Sequence, residues 1–427
     1  MYYHPNIIKN KSLKIRIIMS KRIYFLLVIH LAFLLCLNTH SSACTTAIIS
    51  GKGTPDGRSL LFKHRDSGFE QNRLMYFTDG TYPFIGLVNS EDMIGKEVWA
   101  GANSAGFAIM NSASYNLNTS DTTLLKDQEG IIMKEALRSC ATLKDFEELL
   151  RTWPKPMGVE ANFGVIDADG GAAYYETTNF SFIKIDANDP VLAPFGYLIR
   201  TNYSFSGTDD DGYGYIRYLT AEELFYQAAA ENKLTYQFLL QDVSRSLKHS
   251  LLNVDLEVLP LLPAKKDHFI GFQDYIPRNS SVTTMVVQGI KKEESPDFTT
   301  IWTLLGFPLC SVVIPTWAAG GDKLPKMLIS DDSGNAPLCQ RSLELKKKCF
   351  PINRGSGYKY INLSALLNAE GEGIMQKLLP VEQSVIQLTE TNLNRWRREG
   401  MSKTEIQSFY KQVSQLLYQQ DQILPGL

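Results

Sequence analysis

The chain has 427 residues, 44% hydrophobic and 11% aromatic, with 43 basic against 45 acidic side chains and a formal charge of −2. That is enough apolar material for one large domain or two ordinary ones, and a near-neutral balance without a basic stripe argues against nucleic acid as a partner. Past Leu37 no apolar run reaches the roughly 18–20 residues of a membrane helix; the longest candidate, Ile301 to Ala319, is broken by Pro308 and Pro315.

Residues 19–43 read as a secretory signal, with Met19 as an alternative start. Lys21 and Arg22 form a charged entry, Ile23 to Leu37 a mostly apolar core, and Ser41-Ser42-Ala43 a small-residue end. Cleavage between Ala43 and Cys44 would export the protein to the periplasm or the exterior and make Cys44 its first residue. The segment 1–43 carries six Lys/Arg and no acid, so its loss leaves 37 basic against 45 acidic groups, a charge of −8.

Thr45 to Ser50 and Ser59 to His64 have strand character, and the turn-rich stretch 51–57 between them predicts a hairpin with Cys44 at its free start. Further strands are expected at Leu74–Phe77, Phe84–Val88, Glu97–Ala100 and Phe107–Asn111. Helical spacing follows over Ile131–Cys140 and Leu143–Arg151, the second capped by Thr142. A hairpin of Asn162–Asp167 and Ala172–Glu176 turns at Ala168-Asp169-Gly170-Gly171. Tyr197–Arg200 is read as a strand, Tyr215–Ala230 and Tyr236–His249 as helices, and Ser281–Gln288 and Thr299–Leu305 as strands. Hairpins alternating with helices predict an α+β fold of mostly antiparallel sheets covered by helices.

The segment 319–427 changes character. Loop-like stretches and the basic run Lys346-Lys347-Lys348, expected as a solvated face, precede two polar helices, Val381–Arg398 after Pro380 and Lys403–Ile423. They would pack on a domain spanning 44–318 or mediate homo-oligomer assembly.

Five cysteines follow the leader: Cys44, Cys140, Cys310, Cys339 and Cys349. They are too few for a disulfide scaffold, although Cys339 and Cys349 could bridge a short loop. Only His64, His249 and His268 remain, scattered, so neither a His-rich metal site nor a Ser-His-Asp triad has support. No metal or cofactor is expected.

A terminal cysteine combines a thiol, ordinarily of pKa about 8.5, with an α-amine of about 7.7–8.0 that can serve as its base. While joined to Ala43 that nitrogen is an amide and cannot act, so processing would be the activation step.

The residues that follow resemble the choloylglycine hydrolase and penicillin acyltransferase branch of the N-terminal nucleophile hydrolases, over roughly residues 44–316. The match begins with Cys44-Thr45-Thr46, the hairpin, and Lys63-His64-Arg65-Asp66. There the family carries Arg-x-x-Asp, the Arg near the thiol and the Asp holding the α-amine. Asp66 fits the acid; the Arg position falls on Lys63, which keeps the charge but not the planar fork, with Arg65 as the other candidate. Gly101 to Ala108 resembles the family's Asn-x-x-Gly-Leu-Ala turn, implying a structural Asn103, and the strand after it leads toward an oxyanion residue. Asn111, Ala113 and Ser114 are in reach there, Asn111 being the best side-chain donor. Leu198 to Tyr203 resembles the Leu-Thr-Asn motif, which makes Asn202 an oxyanion donor. Tyr215-Ile216-Arg217-Tyr218 resembles Ser-x-Arg-Phe, which places Arg217 near the catalytic centre.

The resemblance implies a four-layer αββα sandwich and an amidase that cleaves a small-molecule N-acyl amide through an acyl-thioester on Cys44. Conjugated bile acids, penicillin-type side chains and acylated amino compounds are the substrate classes it suggests. Passing the acyl group to an amine would make the same site an acyltransferase. Two non-catalytic readings compete: a binding protein lipid-anchored through Cys44, and an inactive relative, which Lys63 favours. By position, the loops 116–126 and 186–195 should border the pocket.

Overall fold

The computed structural model describes residues 43–418. The expected leader up to Ser42 and the end of the expected last helix beyond Tyr418 lie outside the described residues.

Two strands open the fold. β1 (Cys44–Ile49) and β2 (Leu60–Asp66) form the expected hairpin in the register Cys44↔Arg65, Thr46↔Lys63 and Ile48↔Leu61. A second sheet follows as a meander of β3 (Asn72–Phe77), β4 (Phe84–Asn89), β5 (Ala100–Asn103), β6 (Ala108–Ala113), β7 (Ala161–Ile166), β8 (Ala172–Thr177) and β9 (Phe182–Asp186). The chain then returns to the first sheet through β10 (Tyr197–Arg200), two short ribbons (β11 Lys248–His249 with β12 Val254–Asp255; β13 Phe269–Gly271), β14 (Ser281–Gln288), β15 (Thr300–Leu305) and β16 (Ile314–Thr316). The first sheet has the order β10-β1-β2-β14-β15-β16, and β13 pairs with β17 (Tyr360–Asn362). All the strand pairings among the described residues are antiparallel.

Helices cover both outer faces. α1 (Glu129–Ser139) and α2 (Leu143–Thr152) lie on the second sheet, where Ile132, Leu137, Phe146 and Leu150 pack on Phe84, Ile109, Phe163 and Tyr175. The Oγ1 of Thr142 accepts the Asp145 N–H at 3.2 Å and the Asp145 carboxylate accepts the Thr142 N–H at 2.9 Å, a reciprocal cap. α3 (Tyr215–Ala230) packs Ala221 and Phe225 over Ala47, Ile49, Phe62 and Trp302 of the first sheet. The order is helix, sheet, sheet, helix: the αββα sandwich is the fold of the chain.

Successive side chains of a strand point to opposite faces, and residues paired across a ladder share one. Ile48, Leu61, Met285 and Val287 therefore enter the space between the sheets, while Ala47, Phe62 and Val286 face α3. By the same rule Cys44, Thr46, Lys63 and Arg65 all project between the sheets.

The C-terminal segment is built from α4 (Pro337–Cys349), the single turn α5 (Leu363–Leu366), α6 (Ile374–Glu399) and α7 (Lys403–Tyr418). It continues the inter-sheet core: Trp317 meets Trp396 edge-on at 5.5 Å, and its backbone N–H reaches the Tyr410 hydroxyl at 3.0 Å. Glu382 of α6, fully buried, accepts two bonds of 2.6 Å from Arg245 and one of 2.9 Å from the Val313 N–H.

Several local expectations change. α4 replaces an expected loop, because Pro337 at the first helical position starts it and Leu338, Leu343, Leu345 and Cys349 bury one face. Lys346 leaves the expected solvated run to bond Glu70 at 2.5 Å. α6 begins six residues before Pro380: losing one backbone bond at a proline is offset by burial of Met375 and Leu378 ahead of it. Instead of one helix over 236–249 there is a π-helical turn, Phe238–Val243, followed by β11. Buried Arg245 and the Ser244 hydroxyl take the Leu240 carbonyl, and the Ser244 N–H bonds Leu239. The Cys339–Cys349 bridge does not form. Both sit on α4, where ten residues separate the sulfurs by roughly 15 Å along the helix, and all the described cysteines are free.

Candidate active site

Cys44 opens β1 and is 3% exposed. Its backbone N–H donates to the Asn202 Oδ1 at 2.9 Å. Its carbonyl accepts from the Arg217 Nη1 at 2.6 Å. The same guanidinium donates to the Thr45 Oγ1 at 2.8 Å and, through Nη2, to the Asn202 Oδ1 at 2.7 Å. One buried Arg thus clamps the first two residues of the strand and the amide that holds the first nitrogen.

Asn202 and Arg217 meet because the loop between β10 and α3 closes on itself. Asn202 and Tyr213 exchange both backbone bonds at 3.1 Å. Gly214 then adopts φ +87°, and an added Cβ would lie 2.9 Å from the Arg217 Cζ, so both conformation and space require glycine there. Buried Glu176 anchors the loop from below, accepting from the Arg200 Nε at 2.7 Å, the Phe205 N–H at 3.1 Å and the Ser206 N–H at 2.9 Å. Asn116 donates to the Ser204 and Thr208 carbonyls at 3.0 Å each, which puts the 116–126 loop at the Cys44 end of the sheet. The other loop expected at the pocket, 186–195, is at the opposite end. Since β10 runs antiparallel to β1, its start pairs with Ile49, and Ser50 bonds both Asn188 and Gly196.

The inward face adds two cations. The Lys63 Nζ donates to the carbonyls of Trp99 (2.8 Å) and Asn111 (2.9 Å) and to the Asn111 Oδ1 (2.7 Å). All three of its protons are used, so the ammonium is held in one place. Burial brings its pKa down to about 8, with the Cys44 charge opposing, Arg65 adding to the shift and Glu129 opposing. Arg65, paired with Cys44 across the hairpin, bonds the side-chain oxygens of Asn72 (2.5 Å) and Asn89 (3.0 Å) and lies 5.0 Å above the Trp99 ring. Burial lowers Arg65 and Arg217 to about 10, and the charge of Cys44 pulls each back up. Three cations therefore share the field of one sulfur.

Asp66 is fully buried one residue beyond Arg65. Its Oδ2 accepts from the Arg278 Nε at 2.8 Å and its Oδ1 from the Ser281 hydroxyl at 2.6 Å, while its backbone N–H donates to the Ala43 carbonyl at 2.8 Å. His64 closes the group, 2.9 Å from Ser281 and 3.1 Å from Thr284. With the Ser281 proton on Asp66, the network needs a proton on the His64 Nε2 and an acceptor at Nδ1. Burial holds His64 down to about 4, Asp66 opposing, Arg217 and Arg278 adding, so the ring is neutral.

Of the residues expected at the site, Cys44, Asn202 and Arg217 are joined by one set of bonds and Lys63 and Asn111 by another, with Arg65 and Asp66 on the same strand as Lys63. Asn202 is turned differently from the expectation: its Nδ2 donates to the Ala113 carbonyl at 2.9 Å, and its oxygen holds Cys44. Asn103 stands apart, in the β5–β6 turn. It donates to the Leu137 and Cys140 carbonyls at 2.8 Å and accepts from the Ala105 and Phe107 N–H groups, beside Gly106 at φ +81°. Sequence reasoning missed Arg278, Ser281 and Glu129. Glu129, buried at the start of α1 and accepting the Glu160 N–H at 3.0 Å, is raised by burial to about 7.

No protein-family model matches the chain, and neither does any curated protein. Among solved structures it is similar to the Caenorhabditis elegans N-acylethanolamine-hydrolyzing acid amidase ortholog, at 14% identity and a TM-score of 0.39 over 64% of this chain and 100% of that one. It is similar to penicillin V acylase from Agrobacterium tumefaciens at 12% identity and a TM-score of 0.38, over 64% of this chain and 86% of that one. For a mutant of the conjugated bile acid hydrolase of Clostridium perfringens the values are 10% and 0.37, over 64% and 92%. The chain itself is an αββα sandwich with a buried cysteine at the head of its first strand, ringed by cations.

Proposed function

We propose that this protein is an exported amidase that uses Cys44, freed as the terminal residue by cleavage after Ala43, to hydrolyse a linear amide of a small N-acyl compound. The observation that carries the reading is the double grip on Cys44: Asn202 holds its nitrogen and Arg217 its carbonyl, and Arg217 also fixes Asn202. An ordinary strand start needs no buried guanidinium to orient it. A terminal amine that must take a proton from its own thiol does.

In this reading the thiol attacks the substrate carbonyl carbon, and its proton passes to the α-amine and on to the departing amine. The C–N bond breaks, an acyl-thioester remains on Cys44, and water then releases the acid. Negative charge gathers on the carbonyl oxygen in the field of Lys63, Arg65 and Arg217. Lys63 binds the oxygen end of the Asn111 carboxamide and so leaves its NH2 end as the donor to the oxyanion, while Asn202, turned to the Ala113 carbonyl and the Cys44 nitrogen, serves the clamp. Asp66, fixed by Arg278 and Ser281, keeps a carboxylate at the amine side of the residue. In the folded chain Ala43 and Cys44 are both 3% exposed, so an external peptidase must cut before the chain folds. The burial of Cys44 between the sheets also speaks against a lipid on its sulfur.

The test is a panel of N-acyl amides offered to the processed protein, with free amine as the readout and Cys44→Ser as the control. Turnover lost by at least about 10³-fold in the variant supports the reading. Retained turnover refutes it. Acyl transfer to an added amine, in place of acid release, would redefine the second step alone.

A further inference from the structure

Away from the site, two more thiols face each other. Cys310 ends the 3-10 turn Pro308–Cys310 that follows β15, and Cys349 is the last residue of α4. Their sulfurs are 3.6 Å apart, and both residues are fully buried. Each side is held independently. Arg245 donates to the Pro308 and Ser311 carbonyls at 3.0 Å each, and the Ser311 hydroxyl to the Leu305 carbonyl at 2.7 Å. The Ser342 hydroxyl ties α4 to the Phe307 carbonyl at 3.1 Å. The two sulfurs are thus presented to one another by a scaffold that does not depend on them.

We propose that Cys310 and Cys349 are joined by a disulfide when the chain folds in an oxidising compartment. A disulfide needs its sulfurs about 2.05 Å apart, so they must close by about 1.5 Å, within reach of small χ1 rotations. The two thiols give up two protons and two electrons to a disulfide donor, R–S–S–R, which leaves as two R–SH. No other described cysteine competes. Cys339 takes the Asn72 N–H and points its own S–H at the Glu70 carbonyl, each at 3.4 Å. Cys140 lies in the core beneath α1 and α2, and Cys44 is at the site.

The bond spans 39 positions and pins α4 to the strand that carries the turn. Burial pushes the Cys310 thiol up, so the folded, reduced protein offers little thiolate for exchange. Once formed, the buried bond is shielded from reductants.

The experiment compares processed protein folded in a glutathione redox buffer with protein folded under reductant. Both are unfolded and alkylated without further reduction, digested and mapped by mass. The oxidised sample is expected to weigh 2 Da less before alkylation, to alkylate at three of its five cysteines, and to yield one cross-linked peptide pair containing Cys310 and Cys349. Its Tm should exceed that of the reduced sample by roughly 5 °C, and this difference should vanish in Cys349→Ser. Five alkylated cysteines in the oxidised sample, or a cross-link through Cys339 or Cys140, would overturn the proposal. The peptide map is read without any turnover measurement, so its outcome is independent of the amidase reading.

Discussion

Replacing Arg217 by Lys isolates the clamp from the charge. The guanidinium makes three short bonds from two nitrogens, to the Cys44 carbonyl, the Thr45 hydroxyl and the Asn202 oxygen, at 2.6, 2.8 and 2.7 Å. A lysine keeps the positive charge in the same buried cavity, but one nitrogen cannot span the Cys44 carbonyl and the Asn202 oxygen together. At about 1.5 kcal/mol for each charge-assisted bond, losing two costs about 3 kcal/mol, or roughly 150-fold in kcat/KM if the clamp acts in the transition state. With 1% exposure there is little solvent to repair the loss. The assay is steady-state amine release on the best substrate of the panel, with the thermal midpoint recorded alongside. A variant within threefold of wild type in kcat/KM would refute the idea that orienting Cys44 matters to the chemistry. A loss confined to KM would move Arg217 from the reacting centre to substrate binding.

Further outcomes follow from neighbouring groups. Gly214→Ala should reproduce much of the Arg217→Lys defect, since the new methyl meets the guanidinium at a φ of +87°, and kinetics of the double variant should show the two losses to be less than additive. Lys63 is charged below about pH 8 and loses that charge above it, so kcat/KM should fall on an alkaline limb near pH 8; in Lys63→Arg that limb should move upward, and an unmoved limb would assign it to another group. His64 is neutral when folded, with a pKa lowered to about 4, whereas the unfolded chain takes up its proton near 6.5. The unfolded state therefore binds more protons between these values, and stability should fall as pH drops through that window by up to about 3 kcal/mol. Urea midpoints at pH 7 and pH 4.5 should show that slope in wild type and a shallower one in His64→Asn. Glu382→Ala leaves Arg245 buried without its carboxylate and should lower stability by about 3–5 kcal/mol in chemical unfolding; a change under 1 kcal/mol would mean α6 is not integral to the core.

The parts of the site legible in the sequence were those fixed by local chemistry. The turn-rich stretch 51–57 between two apolar runs forced the hairpin, and with it the shared face of Cys44, Lys63 and Arg65. Asn202 and Arg217 were read through their resemblance to the Leu-Thr-Asn and Ser-x-Arg-Phe segments, and the loop between them closes through the Asn202–Tyr213 backbone pair. What was hidden depended on register and on distant partners. The orientation of Asn202 is set by the Ala113 carbonyl, 89 positions away, and nothing in the residue itself says which end of the amide faces the cysteine. Arg278 lies 212 positions from Asp66, in a segment without periodicity. The misplaced 186–195 loop has a simple cause: proximity in sequence to β10 was read as proximity to the site, but an antiparallel neighbour brings only the end of β10 there. α4 was missed because its apolar face is diluted by a lysine run, of which Lys346 is buried against Glu70 and only Lys347 and Lys348 are exposed.

The central claim is that one residue supplies both nucleophile and base at the start of the mature chain. Intact-mass and peptide analysis of the exported protein, alone and quenched in acid during turnover of an N-acyl amide, tests it most directly. The account predicts a chain beginning at Cys44 and, in the quenched sample, an acyl group on the Cys44 peptide that hydroxylamine removes. A chain beginning elsewhere, or turnover with the acyl group on any other residue, would contradict it.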